Sequence, residues 1–130
     1  MLPINNTYKK IELSDLINGV TVNGYVDDNS WNYYTFTANT ETNMVITVNE
    51  TNNDDCDIYV KQGSQPTKFS YDYKNIGTGS LSAITVPSAI GQFNIGIYGY
   101  STCSYQITVV VSGKSAYFAK ISEILAKNNI

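Results

Sequence analysis

From Gly91 to Val111 the chain reads GQFNIGIYGYSTCSYQITVVV. Phe93, Ile95 and Ile97 alternate with Asn94, Gly96 and Tyr98, and after a break at Gly99 to Ser104, Tyr105, Ile107 and Val109 alternate with Gln106, Thr108 and Val110. A period of two places one apolar face on each run, the pattern of a half-buried strand. The stretch is predicted to form two neighbouring antiparallel strands joined by a corner, with the rest of the chain covering their apolar face.

The remaining segments repeat that period. Val20 to Val26 reads as a strand ending in the turn formers Asp27 to Ser30, and Trp31 to Ala38 follows as another. In the latter, either Tyr34 and Phe36 face inward with Trp31 capping one end, or the parity is reversed with Trp31 and Tyr33 inside. Asn39 to Asn43 reads as a polar loop, Met44 to Val48 as a strand, Glu50 to Asp55 as a loop and Cys56 to Lys61 as a strand. The connection Gln62 to Ser80 is long enough to be functional or to hold a short strand of its own. Leu81 to Val86 is a strand stopped by Pro87, and Ala89 to Gly91 turns the chain into the opening pair. About seven or eight short strands without intervening helices define an all-β antiparallel β-sandwich, jelly-roll-like or Ig-like.

The two ends differ from this pattern. Residues 1–16 read as an N-terminal arm with a short helical turn at Ile11 to Leu16, residues 17–111 as the sandwich, and residues 112–130 as a C-terminal amphipathic helix. In Ser115 to Asn128, Tyr117, Phe118, Ile121, Ile124 and Leu125 share one side at a 3.6-residue period, with Lys120, Glu123 and Lys127 outside. A helix of about 14 residues is marginal in water and needs a surface. It packs on its own sandwich or docks into a second copy or another protein.

Several functions are excluded by composition. The chain has no His, which removes the commonest general base, the usual catalytic triads and the usual zinc ligand sets. Its eight basic residues are all Lys and its net charge is −3, so a nucleic-acid partner is not expected. No apolar run reaches the length of a membrane span, and MLPINNTYKK lacks the apolar stretch of a signal peptide. The chain is either kept inside a cell or is a piece whose signal was removed. Its 130 residues bury roughly two thirds of their unfolded surface, so a core alone can hold the fold. Cys56 and Cys103 share the inward parity of their segments; they form a disulfide if those segments are neighbours, or sit as two small buried hydrophobes.

The segments VTVNGYVDDNSWNYYTFTA, DDCDIYVKQGSQPTKFSYDYKN, LSAITVP and GQFNIGIYGYSTCSYQITV, in that order, resemble the bacterial pre-peptidase C-terminal domain family, including domains similar to the collagen-binding domain of clostridial collagenases. Asp55, Asp57, Ile58, Tyr59 and Val60 match its aspartate-flanked strand, Gly63, Ser64, Pro66 and Thr67 its turn, and Gly91 to Tyr105 its closing strands. The resemblance implies a non-catalytic β-sandwich, usually attached to a secreted peptidase, that assists secretion or attaches the enzyme to insoluble protein or polysaccharide. An extracellular or cell-surface location follows as an expectation. The 130 residues read as the domain followed by a helix, with no peptidase segment among them, and the expectation is a stand-alone binding or assembly module. Family members with calcium use an acidic N-terminal linker; Glu12 and Asp15 alone do not reproduce it.

Two candidate sites remain. Tyr59, Tyr71, Tyr73, Tyr98 and Tyr100 are expected on one outward face, where tyrosine offers rigid contact area with a polar tip to an extended protein or glycan. The alternative is that they form cross-strand pairs or are covered by the Gln62 to Ser80 loop or the helix. Asp27, Asp28, Asp54, Asp55 and Asp57, with Glu50, offer oxygen ligands for Ca²⁺ if their loops meet, or serve as turn formers and strand-entrance acceptors. No catalytic residues are expected, since paired carboxylates need a cleft and the cysteines have no His to activate them. The expectation is a non-enzymatic binding module for an extracellular protein or polysaccharide, without cofactor unless calcium; the rival is a structural protein that forms a homo-oligomer through its C-terminal helix.

Overall fold

The computed structural model describes residues 14–52, 54–113 and 124–127. Six strands appear in chain order: β1 Val22–Val26, β2 Trp31–Glu50, β3 Cys56–Gln62, β4 Tyr73–Asn75, β5 Leu81–Gly99 and β6 Cys103–Gly113. All their pairings are antiparallel, in the order β1-β6-β2-β5-β3-β4. The ladder folds over on itself as a β-sandwich because β2 and β5 serve both layers. Residues 31–38 of β2 pair with 91–98 of β5, whose other edge takes β3 and then β4; residues 42–50 of β2 lie between 81–89 of β5 and β6, with β1 on the far edge.

The two crossings fall where loops are expected from the sequence. Asn39 to Asn43 is not a loop but lies within the 20 residues of β2, where the register slips between Ala38, Thr42 and Met44. Pro87 likewise does not end its strand. It sits in the 19 residues of β5, where the inward set switches from Ile84 and Val86 to Ala89, Phe93, Ile95 and Ile97. One extra residue in the strand produces that switch, with Ser88 at φ 57° and Gly91 at φ 100° turning the backbone. Proline is tolerated at such an irregularity. Counted by halves, β2 and β5 bring the described strand segments to eight, against the seven or eight expected.

The opening pair is corrected too. The apolar faces are as read, with Ile95, Ile97, Ile107 and Val109 fully buried, but β5 and β6 are not neighbours. Residues 93–98 already have β2 on one edge and β3 on the other, so no edge remains for β6. The corner after Gly99 carries the chain to the opposite layer, and Cys103 there joins Cys56 of β3 in a disulfide with Cα atoms 5.8 Å apart.

Of the turn expected at Ile11 to Leu16, residues 11–13 lie outside the described residues, and residues 14–16 run beside β2. Leu16 N–H donates to Thr35 O (2.8 Å), Thr35 N–H donates to Ser14 O (2.9 Å), and the Leu16 side chain enters the core. In the C-terminal segment, residues 124–127 are helical with Ile124 and Leu125 exposed; Tyr117, Phe118 and Ile121 lie outside the described residues. Among the described residues, no helix is long and apolar enough to cross a membrane.

Candidate functional site

On the outward side of the layer formed by β3, the second half of β5 and the first half of β2, the register sets two rows side by side. Trp31 lies opposite Tyr98, which lies opposite Asp57; Tyr33 lies opposite Gly96, which lies opposite Tyr59. Gly96 leaves a hollow among these large side chains. A Cβ there would stand 2.8 Å from the Trp31 ring and 3.1 Å from Pro66. Pro66, fully buried, covers the hollow from the β3–β4 loop.

An outer aromatic cluster results. The Trp31 ring stacks parallel to Tyr33 with centroids 5.4 Å apart and meets Tyr59 at 5.3 Å and Tyr98 at 5.0 Å; Tyr59 meets Tyr71 edge-on at 5.5 Å. Such pairs add to the area they bury. Polar tips fix the rim: Tyr33 Oη donates to Pro66 O (3.0 Å) and Tyr98 Oη to Asn29 Oδ1 (2.7 Å). Lys68 Nζ sits 4.0 Å above the Tyr98 ring and Lys74 Nζ 5.1 Å from that of Tyr71, within reach of cation–π attraction.

The five expected tyrosines therefore divide. Tyr59 and Tyr98 face outward but are buried beneath the loop, forming the floor. Tyr71 is half-buried at the edge of the cluster, and Tyr100, in the β5–β6 corner, is 68% exposed. Tyr73 is on the other side. Opposite Val60 in the register, it packs against the core. The loop contributes what the sequence reading left out: Thr67 and Ser70 exchange backbone hydrogen bonds (2.9 and 3.3 Å), and the turn they close holds Phe69 out, 95% exposed. Trp31 and Tyr33 belong here as well, and the inward parity of Tyr34 and Phe36 is the signal that finds them.

The acidic residues gather at one end of the sandwich. Asp27 and Asp28 occupy the β1–β2 turn, where Asp28 N–H donates to Thr102 Oγ1 (3.3 Å). Tyr25 links this turn to the β2–β3 loop: its hydrogen bond to Asp27 raises its hydroxyl pKa most, and the Asp54 charge adds to the rise. Asp54 Oδ2 accepts from Ser104 N–H (3.2 Å), and Asp55 N–H donates to Ser101 Oγ (3.1 Å). Glu50, the last residue of β2, is 4% exposed; its Oε1 accepts from Cys56 N–H (2.9 Å). Burial raises the Glu50 pKa, the Cys56 N–H opposes the rise, and Asp55, Asp54 and Asp57 add to it. Asp57, on the outward side of β3, is pushed up to about 6 by burial first and by the Asp55 charge second, against the pull of Lys68. Among the described residues no cysteine is free, so neither thiol is a nucleophile.

A two-layer all-β module of this kind recurs among solved structures. The pre-peptidase C-terminal domain of a collagenase from Bacillus anthracis superposes with a TM-score of 0.62 at 15% identity, covering 78% of this chain and 98% of that one. The solution structure of vEP C-ter 100 is 30% identical, with a TM-score of 0.57, and covers 72% of this chain and 95% of its own. In sequence the chain is similar to the neutral protease of Vibrio proteolyticus, 34% identical over 74 residues, and to a zinc metalloprotease of Helicobacter pylori, 30% identical over 73. It spans 12% of the first of these proteins and 28% of the second. No family model matches the sequence. The chain belongs to the pre-peptidase C-terminal domain family.

Proposed function

We propose that this chain is a non-catalytic extracellular binding module that holds a protein or polysaccharide for a protease, using the rim of the outer aromatic face. The observation that carries this reading is Phe69. An exposed aromatic on a hydrogen-bonded turn is already ordered, so it loses little entropy on contact and has apolar area to bury. Tyr71 and the ammonium groups of Lys68 and Lys74, at the edge of the aromatic cluster, add amphipathic area suited to an extended chain. The similarity to proteases supports the setting.

Co-sedimentation with collagen fibrils, chitin and cellulose tests the reading, with the single tryptophan, Trp31, as a fluorescence reporter on the face itself. Phe69→Ala and Tyr71→Ala are each expected to weaken the retained ligand by about tenfold or more. Equal retention of wild type and both variants would sink the proposal.

The exposed Ile124 and Leu125 favour a second reading, self-association through the C-terminal helix. Light scattering on the full chain and on Leu125→Lys decides it: a defined oligomer lost in the variant supports assembly, and a monomer in both refutes it.

A further inference from the structure

The lysines of this chain are grouped against its overall charge. The net charge is −3, yet three of the four lysines among the described residues, Lys61, Lys68 and Lys74, lie on the segment that covers the outer aromatic face, with Asp72 as the single acid between the first and the last. The register sets them on one side of the layer. Lys61 has the parity of Tyr59 on β3, and Lys74 lies opposite Tyr59 on β4. Lys68 shares the Thr67–Ser70 turn with Phe69, and Lys61 Nζ donates to Ser70 Oγ of the same turn. The rings of Tyr98 and Tyr71 orient Lys68 and Lys74, and a ring or a hydroxyl steadies an ammonium group without cancelling its charge. The acids of this face are engaged within the fold. Asp72 Oδ2 accepts from Gln62 N–H (2.8 Å), and Asp57, whose charge acts on Lys68, is 6% exposed.

We propose, resting on the binding-module reading above, that the ligand of this face is an anionic polysaccharide, a uronate-bearing glycan whose sugar rings stack on Phe69 and Tyr71 while its carboxylates meet Lys61, Lys68 and Lys74. A pyranose ring turns a face of C–H groups outward, which suits the electron-rich face of an aromatic ring. Its carboxylate then reaches an ammonium group as a charge-assisted hydrogen bond. An acidic peptide, the other extended polyanion, draws its affinity from a sheet edge to lengthen and its specificity from pockets for alternate side chains. Here Pro66 occupies the hollow at Gly96, and the edge strand β4 is three residues long. What the face offers is a platform of rings bordered by positive charge.

Retention of the full chain on polygalacturonate and on its methyl ester, which keeps the backbone and removes the charge, tests the proposal. The acid form is expected to be held at least about tenfold more tightly, with the difference shrinking as salt rises from about 50 to about 500 mM. Lys68→Gln and Lys74→Gln, both at exposed side chains, are each expected to weaken retention on the acid form by about three- to tenfold and to leave the ester unchanged. Phe69→Ala should weaken both forms, and Lys127→Gln, an equal loss of charge outside the segment, should change neither. The proposal is overturned if acid and ester are held alike, if Lys127→Gln weakens the acid form as much as Lys68→Gln does, or if polyglutamate displaces polygalacturonate at equal charge, which would identify an acidic peptide. Phe69-dependent retention on collagen, chitin or cellulose without preference for the acid form overturns it and leaves the binding-module reading standing, whereas no retention on any of these ends both.

Discussion

The hydroxyl oxygens of Tyr34 and Tyr105 lie 2.6 Å apart in the interior, one carried by the first half of β2 and the other by β6 of the opposite layer. Their rings meet edge-on with centroids 6.4 Å apart, and Asn32 Nδ2 donates to Tyr105 Oη (3.0 Å) and to Tyr25 O (2.6 Å). One polar chain thus ties both layers through the core. Burial and the Tyr34 bond hold the Tyr105 hydroxyl neutral, far above the ordinary tyrosine range.

Tyr105→Phe removes the central member of that chain and leaves the Tyr34 hydroxyl and an Asn32 N–H without their partner. Buried groups deprived of a partner cost about 1–3 kcal/mol. The expected loss of stability is in that range, read as a lower urea midpoint at unchanged slope. A neutral effect would mean that the chain contributes nothing beyond packing.

Gly96→Ala places a methyl group against the Trp31 ring and Pro66. Alanine in a strand gains about 0.5–1 kcal/mol over glycine from the unfolded state, but overpacking costs about 1–3 kcal/mol, so the variant is expected to be less stable. Trp31 emission should shift to the red as the ring is lifted toward water. An unshifted spectrum in a stable variant would contradict the tight cover that Pro66 provides.

Asp57 gives the protein a pH dependence of uncommon sign. Its folded pKa, about 6, lies above the ordinary value of 3.8, so the folded state binds the proton more tightly. The penalty for ionised Asp57 is absent below the unfolded value, grows across the window between the two and is complete above about 6. Facing it are Asp55, Lys68, Tyr59 and Tyr98. Asp57→Asn is therefore expected to stabilise the protein at pH 7.5, on the order of 1–2 kcal/mol, and to make no difference near pH 3. A variant less stable than wild type at pH 7.5 would reverse the sign.

The sequence shows faces more readily than neighbours. Period-two alternation identifies Ile95, Ile97, Ile107 and Val109 as core positions, because a strand's geometry alone decides which residues share a side. It does not say which strands pair: adjacency in sequence suggests β5 beside β6, whereas β2 separates them. The bends escaped for a related reason. Polar Asn39 to Asn43 and Pro87 mark places where pairing is irregular, and a bulged strand leaves the same mark as a loop. At the aromatic face, alternation correctly turns Tyr59 and Tyr98 outward, yet their burial depends on Pro66 reaching Gly96 from a distant segment. By polarity Glu50 reads as the first residue of a loop, whereas it closes β2. Its parity with Ile46 and Val48 is the signal that turns it inward.

Because β2 and β5 each belong to both layers, while the Cys56–Cys103 bond fastens β3 to β6, the sandwich has no seam along which one layer could slide over the other. A pull on the aromatic face enters strands whose far halves are anchored in the opposite layer, and it is borne as shear across long antiparallel ladders. A load applied at that face is thus shared by both layers of the sandwich.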